Sequence, residues 1–93
     1  MTPITSLMNL GKQTAGWLAS IGIHTAEDLA EYGVVEAYLQ LKHSDPRKAT
    51  VNVLYALQGA LLGVKWDLLP EDLKDELRQQ ATERDAHAID SHT

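Results

Sequence analysis

The sequence predicts an all-α fold: one domain, built as a compact bundle of about five helices. The chain has 93 residues, which falls within the usual size of a single domain. Hydrophobic residues make up 44% of it, but there is no phenylalanine. Leucine, isoleucine, valine and alanine must therefore form most of the core, a composition that favours helices over packed sheets. The larger side chains available to that core are Trp17, Trp66, Tyr32, Tyr38 and Tyr55.

The first two predicted elements are a short helical turn at residues 5–8 and a helix that ends before Gly22. The residues Asn9, Leu10 and Gly11 separate them. The helix is predicted because apolar residues recur at helical spacing, at Ala15, Leu18 and Ile21. Gly22 follows the last of them, where a glycine readily adopts the left-handed conformation that caps a helix.

The next helix is short and is delimited by capping residues. Thr25 is a good N-cap, and the carboxylate of Asp28 favours the positive end of the helix from the third helical position. We expect this helix to run to Tyr32 and to stop at Gly33.

Two longer helices are predicted in the middle of the chain. The first opens at Val34 or Val35 and ends at Ser44-Asp45-Pro46, with the stem of Lys42 on its apolar face. The second covers residues 50–62 and is the most apolar, because hydrophobic side chains occupy most of its circumference. We expect it to be the central helix, wrapped by the others and capped by Gly63.

The last predicted helix starts at Pro70, a residue suited to the first helical turn, and carries Leu73 and Leu77 on one side. After Gln80 the sequence has one large apolar residue, so we expect a frayed and solvated end. The predicted organisation is therefore a helical domain over residues 1–80 and a flexible, polar tail over residues 81–93.

Composition excludes several functional classes. The chain has no cysteine, which rules out disulfides, thiolate zinc sites and cysteine nucleophiles and is compatible with a cytoplasmic location. The N-terminus lacks the basic start and apolar run of a signal peptide, and no apolar stretch is long enough to span a bilayer. We therefore expect a cytoplasmic protein that does not enter a membrane.

No catalytic or metal-binding motif is present. The sequence contains no nucleophile elbow, phosphate loop, zinc-protease helix or dinucleotide fingerprint. The four histidines do not combine with carboxylates at the spacing of a metal site; they are His24, His43, His87 and His92. We therefore expect a protein that is not an enzyme, with no cofactor and no metal.

The charge distribution bears on the kind of partner. The net charge is −5, from 8 basic and 13 acidic residues. Affinity for nucleic acid depends on clustered lysines and arginines that displace phosphate counterions, so this balance favours a protein partner over DNA. A basic patch of Arg47, Lys48 and Lys65 is one interpretation of the remaining cations, and a role in solubility is the favoured one.

Two tryptophans and one glycine are of further interest, with close helix packing favoured over the approach of a ligand at the glycine. Trp17 and Trp66 are interpreted as core or core-edge residues, with stacking on bases or anchoring of a partner as the alternative. Gly59, inside the central helix, is expected to permit close helix packing. Self-association into a homodimer is a further hypothesis, because a small domain with two tryptophans leaves an apolar patch exposed.

Residues 7–33 resemble a helix-hairpin-helix layout, in which a hairpin leads into a helix with unpaired first amides. Those amides and the helix dipole suit a phosphate or a carboxylate. The candidate contacts with nucleic acid or a partner are Asn9, Gly11, Lys12, Gln13 and Thr14. A solvated lysine that binds nothing is the competing interpretation of Lys12.

From about Leu7 to about Leu77 the chain resembles the C-terminal domain of the TfoX/Sxy family, bacterial regulators of natural competence and DNA transformation. The resemblance rests on four blocks in a fixed order. They are Asn9-Leu10-Gly11-Lys12 with Trp17-Leu18, Gly22-Ile23-His24-Thr25 with Asp28-Leu29 and Gly33, Val35-Glu36-Ala37-Tyr38-Leu39, and Asn52-Val53-Leu54-Tyr55-Ala56-Leu57-Gln58-Gly59-Ala60-Leu61 with Gly63 and Trp66.

The resemblance implies a helical domain of helix-hairpin-helix or SAM-like architecture, associated with transcriptional activation of competence genes. Full-length members also carry an N-terminal α/β domain, so we expect this chain to be a stand-alone copy of the C-terminal domain. We therefore predict a non-catalytic interaction module that binds a protein partner, with the transcription machinery as a candidate. The alternative is weak, sequence-independent DNA binding at residues 11–14.

Overall fold

Five α-helices form the domain in the computed structural model, which describes residues 2–47 and 49–90. They are α1 (Lys12–Ala19), α2 (Ala26–Tyr32), α3 (Val34–Ser44), α4 (Val51–Leu62) and α5 (Glu71–Asp90). Two 3-10 helices complete the fold, one before α1 (Ile4–Ser6) and one between α4 and α5 (Trp66–Leu68). The predicted all-α bundle is confirmed, and within the described residues there is no strand beyond an isolated bridge between Pro3 and Thr25.

Helix α4 lies at the centre of the bundle, as its apolar sequence predicts. It packs against α2, α3, α5 and the second 3-10 helix. Leu54 and Leu57 on α4 are completely buried. Leu18 of α1 and Leu29 of α2 are also fully enclosed, so each of these helices contributes to one continuous core.

The predicted caps at Thr25 and Gly63 are present, whereas α1 ends at Ala19, earlier than predicted, with Ser20 rather than Gly22 at its C-cap position. The hydroxyl of Thr25 accepts a hydrogen bond from the backbone N–H of Asp28 at 3.0 Å, and the Asp28 carboxylate accepts one from the N–H of His24 at 3.0 Å. This pair satisfies two amide groups at the start of α2 that the helix itself leaves without acceptors. Gly63 ends α4 in the left-handed conformation, with φ of 74°.

The end of α5 differs from the prediction, because the helix continues past Gln80 to Asp90. Ala81 is buried, and the Asp85 carboxylate binds the ammonium of Lys42 at 3.0 Å and the Nε2 atom of His43 at 2.9 Å. These contacts join α5 to α3 and were not visible as apolar spacing along the chain. Residues 91–93 of the expected tail lie outside the described residues.

No helix in the described part of the chain is both long enough and apolar enough to cross a lipid bilayer. The longest helix, α5, is rich in charged residues along its whole length. This helix packs against α3 and α4.

Candidate binding surface at the hairpin

The turn before α1 is built around Asn9. This residue has a φ of 73°, a left-handed conformation in which asparagine is better tolerated than most residues. Its side-chain Nδ2 donates to the carbonyl oxygen of Val64 at 2.9 Å, and its Oδ1 accepts from the N–H of Trp66 at 3.2 Å. One side chain therefore ties the hairpin to the segment that follows α4, more than fifty residues later.

Gly59 is what allows Asn9 to approach so closely. A Cβ atom at position 59 would lie 2.7 Å from Nδ2 of Asn9 and 2.7 Å from the carbonyl oxygen of Val64. The N–H of Val64 in turn donates to the carbonyl oxygen of Gly59 at 3.0 Å. The predicted packing role of this glycine thus has a specific form: it admits the hairpin side chain and the backbone after α4.

The start of α1 lies open beside this contact. Gly11, Lys12 and Gln13 are exposed and Thr14 is half-buried. No side chain caps the helix, and its first turn contains no acidic residue. The first amides of α1 therefore face an environment in which a partner's carboxylate or phosphate would be an acceptor.

The structure separates the five candidate residues into two groups. Gly11, Lys12, Gln13 and Thr14 lie together at the open start of α1. The side-chain amide of Asn9 is instead engaged inside the protein on both of its polar atoms. Asn9 thus shapes the hairpin, and the four following residues form its accessible part.

Exposed apolar side chains flank the Asn9 contact on both of the segments that it joins. Met8 is 45% exposed, Leu62 54%, Trp66 38% and Leu68 69%. Met8 directly precedes Asn9, whereas Leu62 and Leu68 stand two positions before Val64 and two after Trp66. We call these four residues, together with residues 11–14, the hairpin surface.

Trp66 differs from its interpretation as a core side chain. It lies at the surface, with the ammonium group of Lys74 5.9 Å from its ring centroid. Trp17, by contrast, is half-buried and packs against the core, as expected for a core-edge residue. Met8, Leu62 and Leu68 were not identified from the sequence, since their apolar character alone does not reveal exposure.

Each of the two segments that Asn9 joins carries a lysine without an ion pair. Most described lysines and arginines pair with a carboxylate; they are Lys42, Arg47, Lys74, Arg78 and Arg84. Within the described part of the chain, Lys12 and Lys65 make no such pair, and both belong to the segments that Asn9 joins.

Among the described side chains, the other residues singled out in the sequence do not form a site; the side chains of Lys48, His87 and His92 lie outside the described set. His24 is exposed, and His43 lies against the carboxylate of Asp85. No group of three or more potential metal ligands occurs among the described residues. Of the suggested basic patch, Arg47 pairs with Asp45 at 3.3 Å and Lys48 lies outside the described residues.

Comparison with known proteins points to one family. The family model of the TfoX C-terminal domain matches residues 1–81. A crystal structure of an uncharacterized protein from Listeria monocytogenes is 32% identical, with a TM-score of 0.80, over 90% of this chain and 94% of that one. A second crystal structure from Listeria monocytogenes, of a protein of unknown function, is 34% identical, with a TM-score of 0.76, over 86% and 96% of the respective chains. No curated protein matches the chain.

Proposed function

The chain belongs to the TfoX C-terminal domain family, and on that premise we propose that it is a non-catalytic interaction module that binds a protein partner through the hairpin surface. The proposal places the module in the cytoplasm, in transcriptional regulation related to competence and DNA transformation. The observation that carries it is that Asn9 holds together two segments of the chain, and that these segments bear exposed apolar side chains and lysines without ion pairs.

The composition of the hairpin surface suits a protein partner. Its exposed side chains include a tryptophan, a methionine and two leucines, and aromatic and methionine side chains are enriched in protein interfaces. Trp66 is also held in place, because its backbone N–H binds Asn9 and its ring lies near Lys74. A side chain that is already ordered loses less conformational freedom on binding.

A site-specific photocrosslinker placed at position 68 tests this proposal in the native host. Leu68 is the most exposed of the four apolar residues, so the probe replaces a side chain that makes little internal contact. We expect a defined protein to be captured and its binding to the purified domain to weaken at least about tenfold with Leu68→Glu. The matched control carries the crosslinker at Gln79, an exposed residue of α5.

The outcomes separate the alternatives. Capture of one protein from position 68 and not from position 79 supports the proposal. Capture of a second copy of this chain would identify a homodimer as the interaction, with the protein as its own partner. Equal capture from both positions, or binding unaffected by Leu68→Glu, would contradict the assignment of this surface.

Weak, sequence-independent DNA binding at residues 11–14 is the second candidate, favoured by the uncapped start of α1 and the unpaired Lys12 and Lys65. If Lys12 and Lys65 each contact one phosphate, the affinity for DNA should fall about tenfold between about 50 and about 200 mM salt. A titration of duplex and single-stranded DNA should show this loss, and Lys12→Gln should weaken binding whereas Arg84→Gln should not. Absence of binding at low salt would exclude this candidate.

A further inference from the structure

A groove on another side of the domain lies where α3, α4 and α5 meet. It has a volume of about 240 Å³, somewhat below the usual range for ligand sites. Its apolar walls come from α4 and α5, namely Val51, Leu54 and Ala81. Lys42 from α3 and Arg78 from α5 supply two positive charges to the same groove, and no carboxylate lines it among the described residues.

Both cations retain donors for a ligand. Lys42 pairs with Asp85, and Arg78 pairs with Asp75, but neither carboxylate lines the groove. An ammonium group has three N–H donors and a guanidinium group has five, so one ion pair leaves most of them available. The Arg78 side chain is 53% exposed, which leaves it room to turn toward a bound anion.

Tyr38 adds a hydroxyl group to the lining of the groove. The residue is only 8% exposed, yet its hydroxyl makes no hydrogen bond to any described residue. No side-chain polar atom in the described chain is both fully buried and without a partner. The Tyr38 hydroxyl is therefore accessible to solvent, and Tyr38 lines the groove. A tyrosine hydroxyl that is not fully buried is available to donate a hydrogen bond to a ligand bound in the groove.

We propose that this groove binds a small organic carboxylate with a compact apolar body. The carboxylate lies between Lys42 and Arg78 and accepts a hydrogen bond from the Tyr38 hydroxyl, while the apolar body packs on Val51 and Ala81. Charge-assisted hydrogen bonds to a carboxylate are stronger than those between neutral groups, which compensates for the small size of the groove. This site is separate from the hairpin surface.

Benzoate is a suitable probe, followed by methyl and amide NMR spectra of the whole domain. For a ligand this small the expected dissociation constant is on the order of 1 mM. We expect saturable shifts at Val51, Leu54 and Ala81. Benzamide, which has the same shape without the charge, should bind at least about fivefold more weakly.

Matched variants identify the contacts. Tyr38→Phe keeps the ring and should weaken benzoate about threefold or more, because it removes one hydrogen bond to a charged group. Arg78→Gln should weaken it about tenfold. Arg84→Gln is the control, since Arg84 lies on the same helix, is 50% exposed and pairs with Glu36, but does not line the groove.

Each outcome bears on the proposal. The proposal is supported if benzoate causes saturable NMR shifts only at residues of the groove. Benzoate must also bind more weakly to Tyr38→Phe and Arg78→Gln and with unchanged affinity to Arg84→Gln. The proposal is overturned if benzoate causes no saturable shift at about ten times that constant. Equal binding of benzamide, or equal weakening by Arg84→Gln, overturns it as well.

Discussion

Replacing Gly59 with alanine should destabilise the domain, although alanine is the better helix former by about 1 kcal/mol. The added Cβ would lie 2.7 Å from Nδ2 of Asn9 and 2.7 Å from the carbonyl oxygen of Val64. The asparagine side chain is able to move aside. The Val64 oxygen belongs to backbone, so relieving that contact requires the segment after α4 to shift.

The expected size of the effect follows from these contacts. Overpacking a close site costs about 1–3 kcal/mol. Displacing Asn9 weakens its two hydrogen bonds, each worth about 0.5–1.5 kcal/mol. After subtraction of the gain in helix propensity, we expect a net loss of about 1–5 kcal/mol in the free energy of unfolding. For a domain of this size that loss lowers Tm by at least about 4 °C.

Thermal and urea unfolding followed by circular dichroism would measure the change. Gly16→Ala is the matched control, because Gly16 lies in α1 and a Cβ there would meet nothing within 4 Å. That variant should gain up to about 1 kcal/mol. If Gly59→Ala were as stable as the parent protein while Gly16→Ala gained stability, the close approach of Asn9 would not constrain the fold and the reasoning would be wrong.

Three further predictions concern capping, the end of α5 and pH. Thr25→Ala should cost about 1 kcal/mol in urea unfolding, whereas Thr50→Ala should cost less because the Thr50 side chain makes no capping bond; equal losses would argue against the cap. Deleting residues 81–93 should cost about 1–2 kcal/mol, since it removes buried Ala81 and the ion pairs with α3; an unchanged urea midpoint would show that this end contributes nothing. Hydrogen bonds from His43 and Lys42 lower the pKa of Asp85, so its stabilisation is complete above the ordinary pKa of an aspartate and is lost as pH falls through the lower folded value. Asp85→Asn should therefore flatten the decline of stability below about pH 4, and a decline parallel to that of the parent would refute this account.

Local sequence determined the positions of most helices. The cap at Thr25, the left-handed glycine at Gly63 and the helical spacing of apolar residues act over a few neighbouring residues, so each is readable without knowing the fold. The same holds for the turn at Asn9 and the open start of α1. The four sequence blocks, in their order along the chain, were also sufficient to identify the family.

Tertiary structure alone decided which surfaces those helices form. The Asn9 side chain meets Val64 and Trp66, the Asp85 carboxylate joins α5 to α3, and Tyr38 lines a groove shared by three helices. Each of these contacts joins residues far apart in sequence, and none leaves a periodic pattern along the chain. Exposure of Leu62 or Leu68 likewise depends on what packs against each face. The identity of an apolar residue does not reveal whether it is buried or exposed. Only the packed fold therefore distinguishes the core from a binding surface.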